Sequence, residues 1–173
     1  QPGAAGTISL ASTCMQRFHA LRSSKSCLMK SSVPPGTGAR IVSEELAGTQ
    51  CNYVANPEFL QQGSAVKNWM SPARMVIGSE SPAASETIIN LFSQIEAPIV
   101  KTDITTAELI KYASNALLVT KISFINEIAM LCERVGSNID DVVRGLALDP
   151  RIGPSFLGAG IGWGGSCFPK DAR

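Results

Sequence analysis

The 173-residue sequence carries 15 Lys and Arg against 14 Asp and Glu, a net charge of +1, with 45% hydrophobic and 17% charged residues. That apolar fraction supports a packed core, in one domain or parts of two. The near-zero charge excludes an electrostatic drive toward nucleic acid or an anionic membrane surface.

The five cysteines, Cys14, Cys27, Cys51, Cys132 and Cys167, show no C-x-x-C spacing, and His19 is the single histidine. This argues against a metal site and against a disulfide scaffold, and points to a reducing, cytoplasmic setting. The opening "QPGAAGTISLASTC" lacks the basic-then-apolar order of a secretion signal. "NALLVTKISFINEIAML" is interrupted by Lys121, Asn126 and Glu127, so no uninterrupted apolar run reaches the roughly 20 residues of a membrane span.

Residues 1–25 show weak periodicity. "SCLMKSS" (26–32) reads as a strand, "VPPGTG" as a turn, and "ARIVSEEL" (39–46) as a helix. "CNYVAN" (51–56) is a second strand running into a Pro-led loop, and "ARMVIGS" (73–79) a third. Ser81 then caps a helix that has Pro82 at its first position and Ile88, Leu91, Phe92 and Ile95 as its apolar stripe. "APIVKT" (97–102) is a fourth strand. Short apolar strands alternating with helices predict an α/β fold with a parallel sheet.

Thr105-x-x-Glu108 reads as a capping box. Behind it Leu109, Ala113, Leu117, Phe124, Ile128, Leu131 and Val135 recur at helical spacing up to Gly136. A helix of about 30 residues spans roughly 45 Å, a length suited to bridging domains or building a dimer interface. Ser137 or Asn138 starts another helix that ends near Leu148. Residues 151–173 hold six glycines and two prolines and read as loop. No G-x-G-x-x-G follows a strand, so the phosphate-cradling turn of a dinucleotide fold is not seen.

Several groups suit chemistry. Cys167 sits between the Gly164-Gly165 pair and Lys170-Asp171. A nearby ammonium favours a reactive thiolate, and a carboxylate can position water; a packed structural cysteine is the plain alternative. Lys111 and Asn115 are four apart and share a helix face, suited to an oxyanion or a sugar hydroxyl, or simply to solvent. Glu58 follows a strand end, where open α/β sheets bind ligands, and reads as a base or as a turn cap. Ser32 also lies at a strand end. Arg151 suits a diphosphate and Phe156 a base or sugar face. Trp69 and Trp163 read as packing residues.

"KSSVPPGTG", "NPEFLQQGSAV", "RMVIG", "KYASNALLVTKISFINEIAMLCERVG" and "DPRIGPSFLGAGIGWGGSCFPKD", in this order and spacing, resemble the UDP-glucose/GDP-mannose dehydrogenase family over about residues 28–171. The resemblance implies the second half of a Rossmann-like NAD-binding domain over 1–102. A long central helix and a truncated all-α dimerisation domain with a catalytic glycine-rich loop would follow over 103–173. The chain would then be an internal fragment of a homo-oligomer built on a dimer.

The implied chemistry is NAD-dependent four-electron oxidation of UDP-glucose through a Cys167 thiohemiacetal and thioester. GDP-mannose or another nucleotide sugar is the alternative substrate, and a non-catalytic dimerisation fragment the alternative class. Catalytic roles fall to Cys167, Lys111, Asn115, Asp171 and Glu58. Substrate contacts fall to Glu58, Phe59, Leu60, Lys111, Asn115, Arg151, Phe156 and Gly164, with Arg151 reaching across a dimer interface. Cofactor contacts fall to Ser32, Gln62, Cys167 and Lys170. Three positions depart from the family pattern: Ser32 replaces threonine, Gln62 replaces a glutamate, and Gly158 replaces a residue that is often basic.

Overall fold

The computed structural model describes residues 25–164 and 168. The chain divides into two compact units, residues 1–111 and 112–173.

In the first unit four strands stand in the order β1 (Lys25–Met29), β2 (Cys51–Ala55), β3 (Met75–Gly78) and β4 (Ile99–Thr102). Helix α1 (Thr37–Glu44) links β1 to β2, and α3 (Pro82–Leu91) links β3 to β4. Both linked pairs are parallel. The parallel sheet expected from sequence is corrected at its centre, because β3 meets β2 antiparallel through Ala55 and Gly78. The reason lies in the connection. Helix α2 (Ala65–Met70), inside a stretch read as loop, has no buried residue. It covers no sheet face, which is what the helix of a parallel crossover does.

The central strands are buried on both faces, and their alternation sorts two cores. Cys27, Tyr53, Ala55 and Val76 pack with Ile41 of α1 and with Ile104 and Ala107 at the start of helix α4 (Ile104–Val135). Val54, Met75 and Ile77 pack with Ala84 and Ile88 of α3. Val54, Val76 and Ile77 are fully buried, each contributing about 1.5–3 kcal/mol from removal of apolar surface from water. Ser81 caps α3 as expected, its Oγ accepting from Ala84 N at 3.3 Å, with Pro82 at the first position.

Helix α4 starts one residue before the predicted capping box. Asp103, not Thr105, is the cap: its Oδ1 accepts from Thr106 N at 2.8 Å. Glu108 is drawn away to other donors, described below. The helix ends at Gly136, which has φ +71, where Ser137 N donates to Cys132 O at 3.0 Å. In the second unit Asn138 caps helix α5 (Ile139–Ala147), accepting from Asp140 N at 2.8 Å.

By length and composition α4 is apolar enough to cross a membrane, with a mean hydropathy of 1.3 in its most apolar stretch. The sequence expectation rested on uninterrupted runs and missed this. In the structure Lys121, Ser123 and Asn126 spend their polar groups on a loop of the second unit, as a scaffold helix does.

Candidate active site

Two glycines bring the start of α4 onto the sheet. A Cβ on Gly78 would meet Ala107 Cβ and would lie 2.5 Å from Asp103 O. One on Gly38 would meet Ile104 Cγ2 and would lie 2.5 Å from Tyr53 Cε1. Bare backbone at these points lets Lys111 and Glu108 reach the ends of β1 and β2.

Lys111 is only 6% exposed. Its Nζ lies 3.8 Å from Glu58 Oε1 and 5.2 Å from the Phe59 ring centroid. Glu58 Oε2 accepts from Leu60 N at 2.6 Å, which fixes the carboxylate and leaves Oε1 toward the lysine. The Arg74 guanidinium also packs over the Phe59 ring, 3.9 Å from its centroid. The loop bearing Glu58 is tied at its root: Lys30 Nζ donates to Asn56 Oδ1 and Asn56 Nδ2 donates to Val76 O, each at 2.7 Å. Lys30 also lies over the Trp69 ring, 4.7 Å from its centroid. Burial pushes the Lys30 ammonium below its usual pKa, and the Glu58 charge offsets part of this.

Glu108, 3% exposed, accepts from Gly36 N and Gly38 N at 2.7 Å each. Burial pushes its carboxyl up; the N–H groups of Gly38, Gly36 and Thr37 act against that. The N-terminus of α1 is an anion site by its dipole and free N–H groups, and the chain's own carboxylate occupies it.

A pocket with about 200 Å³ of empty space, including its open mouth, lies at these strand ends, lined by Met29, Ser31, Ser32, Val33, Ala55, Pro57, Glu108 and Lys111. The structure therefore gathers Ser32, Glu58, Phe59, Leu60 and Lys111 from the sequence-derived set. Gln62 is exposed on the following turn.

In the second unit Asn115 is buried on α4, one turn after Lys111. Arg151, whose side chain is 87% exposed, is gripped by Asp149: Nε donates to Oδ1 at 3.0 Å and Nη2 to Oδ2 at 2.6 Å. The ion pair lowers the Asp149 carboxyl and raises the guanidinium. Phe156 has φ +64, a backbone cost of order 1–3 kcal/mol that functional loops tolerate. Gly164 is exposed. Cys167, Lys170 and Asp171 lie outside the described residues. Among the described residues no group of three or more His, Cys, Asp and Glu side chains forms a metal site.

Sequence reading did not single out Lys30, Asn56, Arg74 or Glu108 as parts of this site. Glu108 had a signal, three residues before Lys111 on one helix face, but the capping-box reading absorbed it. Lys30 had another, a cation at the end of an apolar strand.

Residues 4–96 match the NAD binding domain of the UDP-glucose/GDP-mannose dehydrogenase family, and residues 105–173 match its central domain. The chain belongs to this family. Residues 4–24, unreadable by periodicity, fall inside the match. The chain is 52% identical over 146 residues to the UDP-glucose 6-dehydrogenase TuaD of Bacillus subtilis, covering 82% of this chain and 32% of that protein. It is 48% identical over 151 residues to the UDP-glucose 6-dehydrogenase of Rickettsia conorii, covering 85% and 35%. Among solved structures, a UDP-glucose dehydrogenase from Pyrobaculum islandicum superposes with a TM-score of 0.86 at 40% identity, covering 95% and 39%. The chain thus spans about a third of the length of the curated relatives it matches.

The strand-end pocket offers the hydroxyls of Ser31 and Ser32 and an apolar wall at Met29 and Pro57. The family's cofactor is NAD. Its diphosphate does not fit at α1, where Glu108 already holds the N–H groups.

Proposed function

We propose that this chain forms the catalytic middle of an NAD-dependent UDP-glucose 6-dehydrogenase that makes UDP-glucuronate in the cytoplasm. The observation that carries the reading is buried Lys111 paired with half-buried Glu58 beside the strand-end pocket, in a chain about half identical to named UDP-glucose 6-dehydrogenases. A GDP-mannose dehydrogenase structure is only 24% identical, which favours glucose over mannose as the sugar.

Two molecules of NAD, held in turn beside Ser32, would each supply the acceptor for one hydride. In the first oxidation the sugar's C6 alcohol would lose its proton to a water held by Asp171 and a hydride to the first NAD, giving an aldehyde. The Cys167 thiolate then adds to the carbonyl carbon; a C–S bond forms and the π electrons move to oxygen. Lys111 and Asn115 stabilise that oxyanion, a role for which a buried ammonium is well placed. Loss of a second hydride leaves a thioester. Water, oriented by Asp171 and Glu58, adds to the acyl carbon, and the C–S bond breaks to return the thiolate and release the acid. Phe59, Leu60, Phe156 and Gly164 line the substrate, and Arg151, prearranged by Asp149, contacts it across a dimer of central domains. Lys170 and Gln62 lie toward the cofactor.

The test is Cys167→Ala in the full-length protein, shown to be folded and to bind UDP-glucose. Covalent capture splits one hard step into easier ones, so acid formation is expected to disappear. Near-normal UDP-glucuronate output by the variant sinks the reading. Rates on UDP-glucose and GDP-mannose, measured side by side, decide the sugar.

A further inference from the structure

Two cations meet one aromatic ring beside the strand-end pocket. The Arg74 guanidinium carbon lies 3.9 Å from the Phe59 ring centroid, and Lys111 Nζ lies 5.2 Å from it. A ring face is negative through its quadrupole and attracts a cation within about 6 Å, so both are in range.

The two cations differ in how they are fixed. Arg74 directly precedes β3, whose first residue, Met75, is buried and donates through N to Pro98 O at 2.8 Å. The sheet therefore sets the Arg74 backbone. Lys111 carries its charge on a flexible alkyl stem, and Nζ stops 3.8 Å from Glu58 Oε1, beyond hydrogen-bond contact. That spacing pairs the charges without fixing a direction. The Phe59 ring, beside the ammonium, narrows where it can sit.

The hydrogen bonds of the loop do not place the ring. Asn56 Nδ2 donates to Val76 O at 2.7 Å, and Leu60 N donates to Glu58 Oε2 at 2.6 Å; neither bond involves Phe59. Packing on the core around Tyr53 and Ala55 leaves Phe59 half-buried, and Arg74 reaches it from β3. Strand β3 thus grips the loop twice, at Asn56 through Val76 O and at Phe59 through Arg74. Arg74 does not line the strand-end pocket.

We propose that Arg74 is a positioning residue that acts through the Phe59 ring, holding it against the Lys111 ammonium next to Glu58. The proposal rests on the reading of Lys111 as the group that stabilises the oxyanion.

A double-mutant cycle in the full-length protein tests it, with Arg74→Met, Phe59→Leu and the double variant, each shown to be folded by circular dichroism. One readout is steady-state kinetics on UDP-glucose. The other is trace acetylation of Lys111 by acetic anhydride, followed by peptide mass mapping against exposed Lys67 as internal standard. Arg74→Met is expected to lower kcat about tenfold with KM within about threefold, as loss of orientation does. It should also raise the Lys111 acetylation rate about fivefold, because the ring no longer confines the amine. In the Phe59→Leu background the same substitution is expected to change either readout by less than about twofold, since residues that act through one another are not additive. Should Arg74→Met fail to fold, Arg74→Lys, which keeps the charge and loses the planar guanidinium, runs the same cycle. The proposal is overturned if the substitution at 74 leaves kcat and acetylation as in the parent, or if its effects multiply undiminished with those of Phe59→Leu. Near-normal UDP-glucuronate output by Lys111→Ala defeats the oxyanion reading instead, and the acetylation cycle still decides the role of Arg74.

Discussion

Glu108 shows how one carboxylate can hold a neighbouring helix. It accepts two backbone N–H bonds at the start of α1, yet burial raises its pKa. The folded state therefore binds the proton more tightly than the unfolded chain. Glu108's contribution to stability is fully present below its unfolded pKa and is lost as pH rises through the raised folded value. Glu108→Gln removes that titration. It also turns an amide N–H toward a backbone donor, at a cost of about 1–3 kcal/mol. Urea unfolding of both proteins from pH 4 to 7 is expected to show the parent's advantage shrinking as pH rises. Parallel stability curves would refute the assignment.

At the scale of elements, α4 docks on the sheet through two missing side chains. Gly78→Ala would drive a methyl group into Ala107 and into the Asp103 carbonyl, and neither is a flexible tip. Such overpacking costs about 1–3 kcal/mol, read as a lowered urea midpoint with an unchanged slope. Gly158→Ala, where nothing lies within 4 Å, is the control and should change stability by less than about 0.5 kcal/mol. Equal effects at the two sites would count against the docking account.

At the scale of the molecule, the apolar stripe predicted along α4 is present but faces outward. Leu109, Leu117, Phe124, Leu131 and Val135 are all exposed, while Ala107, Lys111, Asn115, Val119 and Ile125 are buried. So much exposed apolar surface on one helix marks an interface, and a second copy of the chain is the partner that the proposed dimer calls for. Sedimentation of the full-length protein should show a dimer. Leu117→Glu with Phe124→Glu should raise its dissociation constant at least about tenfold, since central apolar anchors carry most interface energy. A monomer at high concentration would remove this prediction.

Much of the fold is local and was legible in the sequence. Ser81-Pro82 starts α3, Gly136 stops α4, and each of the four strands lies within its predicted span or one residue beyond it, because caps, breakers and apolar alternation act over a few residues. The order and spacing of whole motifs also pointed to the family, and with it to Cys167, Lys111 and Glu58. Other features depended on residues far apart in the chain. Glu108 caps a helix 70 residues away, Lys30 and Asn56 meet across 26 positions, and β3 turns antiparallel because α2 covers nothing. Which face of α4 is buried was decided in the same way. Leu109 and Leu117 have the greater intrinsic drive to leave water, yet Lys111 and Glu108 are the ones enclosed. Gly38 and Gly78 set where the helix can approach, and Glu58 and the backbone N–H groups of α1 supply the partners that make burying charge tolerable.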